Sequence, residues 1–493
     1  MESSLYIAVD LGAGSGRIFL AGVDPGELLL EEIHRFQYPP TEENGHLRWN
    51  FPQIFSEIRT GLRKAAVRSN ELGRTVCSIG IDSWAVDYGL IDADGQLIAN
   101  PVCYRDDRTI GAMDSVFTKV SRSTIFEKTG IQFQNFNTLF QLYSEDGNLK
   151  KAAKLLLLPD LINYFLTGKT AAERTNATTT QMVSAASGKW DRDLLEKLDL
   201  PADILPEIIP TGSDLGLLKP EIATGLGLPD VRVVAPATHD TASAIAGAPL
   251  LADHAYISSG TWSLIGVERD DMLTDRETAR QNFTNTGGAY EKICFLKNVT
   301  GLWIFESCRR EWQARGIDIE YDAIIAEVAE KSEFKAFIFP DDERFLNPPS
   351  MLGAIEQQMT ETGNLFNSDP ASVAKVIFDS LAFRYASVLR NIESLTSRKL
   401  KGVEILGGGG RNGYLNQMTA NAIGLTIRAG LTEAAVVGNV LVQAITAGRF
   451  SSIATAREHV RANFELTSVL PQPSSKIDEA AERYAAVENK FIA

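Results

Sequence analysis

One local pattern occurs twice, about half a chain apart, and it limits the possible folds more than anything else in the sequence. Ile7-Ala-Val-Asp-Leu-Gly-Ala-Gly-Ser-Gly-Arg-Ile-Phe-Leu20 reads as strand, glycine-rich turn, strand. Ala255-Tyr-Ile-Ser-Ser-Gly-Thr-Trp-Ser-Leu-Ile-Gly-Val-Glu268 reads the same way. Similarity at that period predicts a duplicated domain rather than a solenoid of short repeats. The length of 493 residues suits two large α/β halves. No low-complexity linker separates them, so the halves are expected to join directly near residues 246 to 254.

The rest of the chain fills in an α/β pattern. Strands are predicted at Leu5–Asp10, Arg17–Val23, Glu27–Gln37, Val76–Ile81 and Val231–Ala235, with the first turn at Leu11–Gly16. Val86–Leu97 reads as a hairpin turning at Asp94-Gly95. Ile54, Ile58, Leu62 and Ala65/Ala66 form a helical stripe within Phe51–Ser69, and Ala242–Ala248 is a small-residue helix. In the second half, a long helix over Ser372–Leu395 feeds a strand at Gly402–Leu406, four glycines, a helix through Ala422 and a strand at Leu425–Ala429.

Charge and cysteine usage exclude several classes. There are 48 basic and 63 acidic residues, a net charge of −15, which argues against a general binder of nucleic acid or anionic membrane. No run approaches 18 apolar residues, and the N-terminus lacks the basic and apolar regions of a signal peptide. Cys77, Cys103, Cys294 and Cys308 are widely spaced without a CxxC pair, so neither a zinc site nor a disulfide framework is expected, and a reduced cytoplasmic setting fits.

The chemistry concentrates in a few places. In Asp10-Leu-Gly-Ala-Gly-Ser-Gly-Arg17, glycines let backbone approach a phosphate, Ser15 adds a hydroxyl and Arg17 a charge. Asp10, at a strand end, suits a Mg²⁺ held through its water shell. Thr261 occupies the matching turn of the second half. Gly408 to Gly413 fits GxGxxG, but the strand after it, Leu425–Ala429, carries Arg428 and no acid at its end, so a dinucleotide is not expected there. Gly168-Lys169-Thr170 lacks the leading glycine of a phosphate-binding P-loop, since Asn163 stands in its place. Asp240, where a strand runs into a helix, suits either a capping carboxylate or a general base, and the positive helix end is expected to keep it ionised. Asp82-Ser-Trp-Ala-Val-Asp87 offers carboxylates for sugar hydroxyls and an aromatic face for C–H patches.

Taken together these features resemble the FGGY carbohydrate kinases, and within them the rhamnulokinase branch. The resemblance covers nearly the whole chain. It rests on AVDLGAGSGR (8–17), EIHRF (32–36), SIGIDSWAVD (78–87), YRDDRT (104–109), GIQFQNFNTLFQL (130–142), TNATTTQ (175–181), SSGTWSL (258–264) and LKNVTGLW (296–303). It implies an α/β fold of two ribonuclease-H-like, actin-like ATPase domains with the active site in the interdomain cleft. Residues 1–247 would carry the sugar site, the first phosphate loop and the catalytic Asp, and residues 248–493 the second phosphate loop and the nucleotide. By the same resemblance Ala13, Gly14, Ser15, Gly16, Arg17 and Thr261 contact ATP phosphates, and Glu306 and Gly409 lie by the nucleotide. His239, Asp240, Thr241 and Asn298 contact the sugar with Asp82, Trp84 and Ala85, and Asp240 is the base. Two positions depart from the family pattern: Ala85 stands where Gly is usual, and Glu306 where a Gln reaches the nucleotide.

The implied reaction is ATP plus L-rhamnulose giving ADP and L-rhamnulose 1-phosphate, with Mg²⁺. Two alternatives stay open on sequence: another ketose such as L-fuculose or L-xylulose, or an actin-like ATPase module that binds a protein. The implied partners are ATP and a small ketose, without nucleic acid or membrane, for a cytoplasmic monomer or homodimer.

Overall fold

The structure, a computed structural model, describes residues 4–145, 147–331 and 334–492. The expected domain limits at 1 and 493 lie outside the described residues. The chain forms two compact units that are interleaved in sequence. The first takes residues up to Pro249, Glu268–Phe295 and Ala434–Phe464. The second takes Leu250–Val267, Leu296–Glu433 and the chain from Glu465 onward.

The first unit is built on β1 (Ser4–Gly12), β2 (Ser15–Gly22), β3 (Leu29–Gln37), β4 (Thr75–Ser83), β5 (Ser213–Leu217) and β6 (Arg232–Ala235). Their order is β5-β6-β4-β1-β2-β3. β1 pairs antiparallel with β2 and parallel with β4, and β4 pairs parallel with β6. Leu5, Ile7, Val9 and Leu11 of β1 are fully buried, as are the residues between them on the other face, as befits a central strand covered on both sides. Helix Phe51–Glu71 makes the crossover to β4. Asn50 caps it by accepting from the Gln53 N–H, and Pro52 sits in the first turn where a missing N–H costs nothing. The stripe Ile54, Ile58, Leu62, Ala65 and Ala66 is buried, as its spacing predicts. Burying each of the larger side chains contributes about 1.5–3 kcal/mol.

The strands run further into the first turn than the sequence suggests, leaving only Ala13 and Gly14 outside the ladder. The Val86–Leu97 hairpin forms as a short one, turning at Asp92–Gly95: the Asp92 N–H donates to the Gln96 carbonyl, the Ile98 N–H to that of Leu90, and Ile91 bridges antiparallel to Leu97. On its other edge Tyr88–Ile91 pairs antiparallel with Lys154–Leu157. The Asp92 carboxylate tightens the turn by accepting from the N–H groups of Asp94 and Gln96. Leu155–Leu157 meanwhile offer a fully buried apolar partner.

Helix Asp240–Gly247 begins two residues earlier than predicted and crosses helix Ala434–Thr446 at close range. A Cβ on Gly438 would stand 1.8 Å from the Ser243 carbonyl oxygen, and one on Gly247 would stand 2.3 Å from that of Ala434. Small residues in Ala242–Ala248 therefore serve helix contact.

The second unit repeats the scheme with β7 (His254–Ser259), β8 (Trp262–Arg269), β9 (Ile293–Thr300), β10 (Gly402–Leu406), β11 (Ile427–Ala429) and β12 (Thr467–Val469). The order β9-β8-β7-β10-β11-β12 matches β3-β2-β1-β4-β6-β5, and the second sheet carries a seventh strand, Thr284–Gly287, on the outer side of β9. β7 is antiparallel to β8 and parallel to β10, as β1 is to β2 and β4. Helix Pro370–Thr396, capped by Asp369 on the Ser372 N–H, precedes β10. Cys77, Cys103, Cys294 and Cys308 are free. Among the described residues no helix is long and apolar enough to cross a membrane.

Mid-helix Gly→Ala normally stabilises by about 1 kcal/mol. At Gly438 the backbone contact reverses the sign. Gly438→Ala is expected to destabilise by about 2 kcal/mol or more and to lower the thermal midpoint. A midpoint equal to or above wild type would show that the crossing is looser than described.

Candidate active site

The β1–β2 register sets Asp10 opposite Arg17, Leu11 opposite Gly16 and Gly12 opposite Ser15. Gly14 takes φ +133°, a conformation that L side chains rarely adopt, and nothing lies within 4 Å of where its Cβ would be. The turn is thus open above a glycine that its own backbone requires. Tyr38 braces it from below. Its hydroxyl donates to the carbonyls of Gly12 (2.6 Å) and Ser15 (3.0 Å), and its N–H to that of Gly14 (2.9 Å). With those carbonyls engaged, what the turn presents upward is the exposed Ser15 hydroxyl and backbone at Ala13 and Gly14. Gly16 is a packing glycine, since a Cβ there would meet the Phe36 ring at 2.5 Å. Arg17 reaches across the ladder and donates to Asp10 Oδ2 at 2.5 Å. The residues read from sequence as phosphate and metal contacts are paired with each other.

Three carboxylates gather at this edge. The parallel register sets Asp10 beside Asp82. The Ser83 N–H donates to the Thr238 carbonyl at 2.9 Å and so docks the segment entering helix Asp240–Gly247. Asp82 is fully buried, and Asn439 Nδ2 donates to its Oδ2 at 2.6 Å. Burial, then the charge of Asp10, push the Asp82 carboxyl well above its ordinary range. Asp240 keeps 31% of its side chain exposed. Its Oδ1 accepts from the Thr241 N–H (2.6 Å) and hydroxyl (3.2 Å). Burial and then Asp10 push it up to about 7, against the lowering effect of those bonds. The sequence suggested that the helix terminus would hold Asp240 ionised. Crowding outweighs the helix end, and the outcome is a carboxylate poised near neutrality. His239 is pushed down to about 4 by burial and so is neutral. Its Nε2 lies 3.6 Å from Asp240 Oδ1, and its buried Nδ1 has no partner among the described residues.

At the end of β4, Asp87 is fully occupied. Its carboxylate accepts from the indoles of Trp49 (2.7 Å) and Trp84 (2.9 Å), the Tyr104 N–H and Gln141. Trp84 is buried between Trp49 and Tyr38, with ring centroids 4.7 and 5.9 Å away. Ala85 is partly exposed at this bend, and Val86 follows at φ +69°, a strained value for a β-branched residue. Thr138 holds it there by donating to its carbonyl at 2.7 Å.

In the second unit, Thr261 is exposed in the β7–β8 turn. The carbonyl of Thr261 accepts from Gly301 and Trp303, and that of Gly260 from Leu302, which ties the turn to the start of helix Trp303–Ala314. Gly409 presses against β7, where a Cβ would be 2.1 Å from Ser259 Oγ. Glu306, one turn into its helix, is paired with Arg309 at 2.9 Å, so the extra negative charge is met within the helix. Asn298 is half-buried on β9. Arg428, at the strand end examined for a dinucleotide acid, forks onto Glu404.

Tyr38, Asn439 and Arg309 escape a motif search. Tyr38 and Asn439 act over long sequence separations, and a Glu-x-x-Arg pair on a helix is too common to signal anything. Among the described residues no cluster of three His, Cys, Asp or Glu side chains forms a metal cage. A cation arriving with phosphate ligands and meeting one carboxylate through water fits the charge crowding around Asp10.

Residues 5–247 match the model of the FGGY family of carbohydrate kinases, N-terminal domain, and residues 255–447 that of its C-terminal domain. The chain is 40% identical to a rhamnulokinase of Bacteroides thetaiotaomicron, over 96% of this chain and 97% of that one. It is equally identical to a rhamnulokinase of Ligilactobacillus salivarius, over 98% and 99%. Its fold matches a gluconate kinase from Lactobacillus acidophilus with a TM-score of 0.82 at 15% identity, over 100% and 99% of the two chains. A duplicated strand order, a braced glycine turn in the first unit and a carboxylate at a helix start accompany two family models that together span most of the sequence. The chain belongs to the FGGY family of carbohydrate kinases and is a sugar kinase.

Proposed function

We propose that this kinase transfers the γ-phosphoryl group of ATP to the 1-hydroxyl of L-rhamnulose, with Asp240 as general base. The relatives at 40% identity over nearly the full chain support the substrate. The observation that carries the mechanism is the Asp240 carboxylate: partly exposed, anchored at a helix start, and raised to about 7. In this reading the sugar oxygen forms its bond to phosphorus as the ADP oxygen departs, and the hydroxyl proton passes late to Asp240. Phosphoryl transfer has a loose transition state, so positioning and charge neutralisation do most of the work. Neutral His239, its side chain 10% exposed, is assigned to the sugar, with Thr241 beside it and Ala85 and Trp84 at the neighbouring bend. In the second unit Asn298 is assigned to the sugar and Thr261, Glu306 and Gly409 to the nucleotide. Ala13–Arg17 cradle phosphate, with Arg17 exchanging Asp10 for phosphate oxygens. Asp10 would hold Mg²⁺ through water, and that ion neutralises phosphate charge. Asp82, without exposed surface, supports Asp10 from behind rather than touching the sugar.

Asp240→Asn keeps size and the bond to Thr241 while removing basicity. We expect a folded protein with near-normal ATP affinity and kcat reduced by at least about a hundredfold. Retention of more than about a tenth of wild-type kcat would refute the assignment.

Because the base must be ionised and its carboxyl is raised, activity is lost as pH falls through that raised value. The acid limb of kcat/KM for the ketose should lie near 7 rather than at the ~4 of an ordinary carboxylate. A profile that stays flat down to about pH 5 would contradict it.

Gly14→Val has room for its side chain but not the backbone conformation. Calorimetry should show ATP binding weakened about tenfold or more with ketose binding retained. Unchanged ATP affinity would remove the turn from the nucleotide site.

A further inference from the structure

The side chain of Asp240 touches only its neighbour Thr241 among the hydrogen bonds described above, so its aim depends on the backbone that delivers it. That backbone is fixed from one buried group. Glu173, fully buried, accepts with Oε2 from the Thr238 N–H (3.0 Å), the Thr238 hydroxyl (3.0 Å), the Thr175 N–H (3.0 Å) and the Thr175 hydroxyl (2.5 Å). Its Oε1 accepts from the Thr211 hydroxyl at 2.7 Å. The Thr175 oxygen in turn accepts from the His239 N–H at 3.2 Å. Both N–H groups that precede Asp240 are thus held, Thr238 by Glu173 directly and His239 through Thr175. The Thr238 carbonyl is held from the opposite side by the Ser83 N–H. Thr175 opens the TNATTTQ stretch, whose chemistry the proposed reaction leaves unused.

We propose that Glu173, acting through Thr175 and Thr238, is the positioning residue that aims the base Asp240 at the sugar hydroxyl. The proposal rests on Asp240 being that base. A carboxylate collecting five donors is a rigid anchor, because leaving any of those buried groups unpaired is costly. Displacement of a reacting group by about 1 Å can cost a hundredfold in rate without changing how substrate is held.

The test compares Thr175→Val, Thr175→Ser, Glu173→Leu and Glu173→Gln in a coupled ADP assay with L-rhamnulose, alongside thermal midpoints. Thr175→Val keeps the shape but removes both the donor to Glu173 and the acceptor for His239. Its kcat should fall at least about tenfold with KM for the ketose nearly unchanged. Thr175→Ser keeps the hydroxyl and should restore most of kcat. Glu173→Gln can turn its oxygen to the four donors and its amide to the Thr211 hydroxyl, and should resemble wild type, whereas folded Glu173→Leu should resemble Thr175→Val. Wild-type kcat in Thr175→Val, or equal loss in Thr175→Ser, overturns the proposal. So does a lowered midpoint with intact kcat, or failure of every variant to fold, since the cluster would then hold the fold rather than aim the base. An active Asp240→Asn enzyme would defeat the base assignment itself. An inactive Asp240→Asn beside a fully active Thr175→Val would defeat only the positioning role.

Discussion

The burial of three acids, Asp10, Asp82 and Asp240, at one sheet edge is the constraint around which the first unit is organised. β1 and β4 run parallel in a register that places two of these acids side by side, and the chain after β6 brings the third to a helix start. A hydrophobic core alone would not hold such an arrangement together. Specific polar partners do: Asn439 on Asp82, Arg17 on Asp10, Thr241 on Asp240. Each takes up part of a carboxylate without covering it entirely. Burial, and after it the charge of Asp10, raises Asp240 and makes the edge receptive to a proton. A surface with three fully neutralised acids would be more stable and would have no use for one.

Asn439 shows how far the support extends along the sequence. Helix Ala434–Thr446 comes from the far end of the chain but belongs to the first unit. Gly438 lets it approach helix Asp240–Gly247 at backbone contact, and the next residue, Asn439, then reaches Asp82. Gln443, one turn on, donates to Asn439 Oδ1 and to the Ile7 carbonyl and accepts from Ser78. Gly80 of β4 leaves room for both amides, since a Cβ there would be 2.2 Å from Asn439 Oδ1. Packing and electrostatics are therefore one device: the glycines that permit close approach are what allow short amide side chains to reach a buried acid.

The sequence made the strands, the duplication and the prominent residues legible because each leaves a local mark. Glycine-rich turns, the 3.6-residue stripe of Phe51–Glu71 and the polar break before Asp240 are all written within ten or twenty residues. What stayed hidden is whatever depends on distance or on competition. The pairing of Tyr88–Ile91 with Lys154–Leu157, more than fifty residues on, leaves no mark near either strand, whereas the tight turn at Asp94-Gly95 does. The raised carboxyl of Asp240 is hidden because a helix end is visible in sequence, whereas its burial and the nearby Asp10 are not. Asp87 looked as available as Asp82 until Trp49, Tyr104 and Gln141 were seen to converge on it. Glu306, which stands where the family has Gln, is offset by Arg309 three residues on, a spacing too common to signal a pair in advance.

The two units share a strand order yet finish their hairpins differently, and the difference bears on what each turn can bind. In the first, two residues connect β1 to β2, and Tyr38 occupies the turn's carbonyls. In the second, the connection runs through Gly260 and Thr261, and its carbonyls are taken by N–H groups of Gly301, Leu302 and Trp303. Both solutions use donors to quiet the turn's carbonyl oxygens, which would otherwise repel phosphate. One draws them from a side chain that also packs against Trp84, and so links the turn to the aromatic cluster of Trp49 and Trp84. The other draws them from the start of the helix that carries Glu306. Duplication supplied the same scaffold twice. The two turns then differ in the group that braces each, and that group comes in both cases from the residues just after β3 and β9.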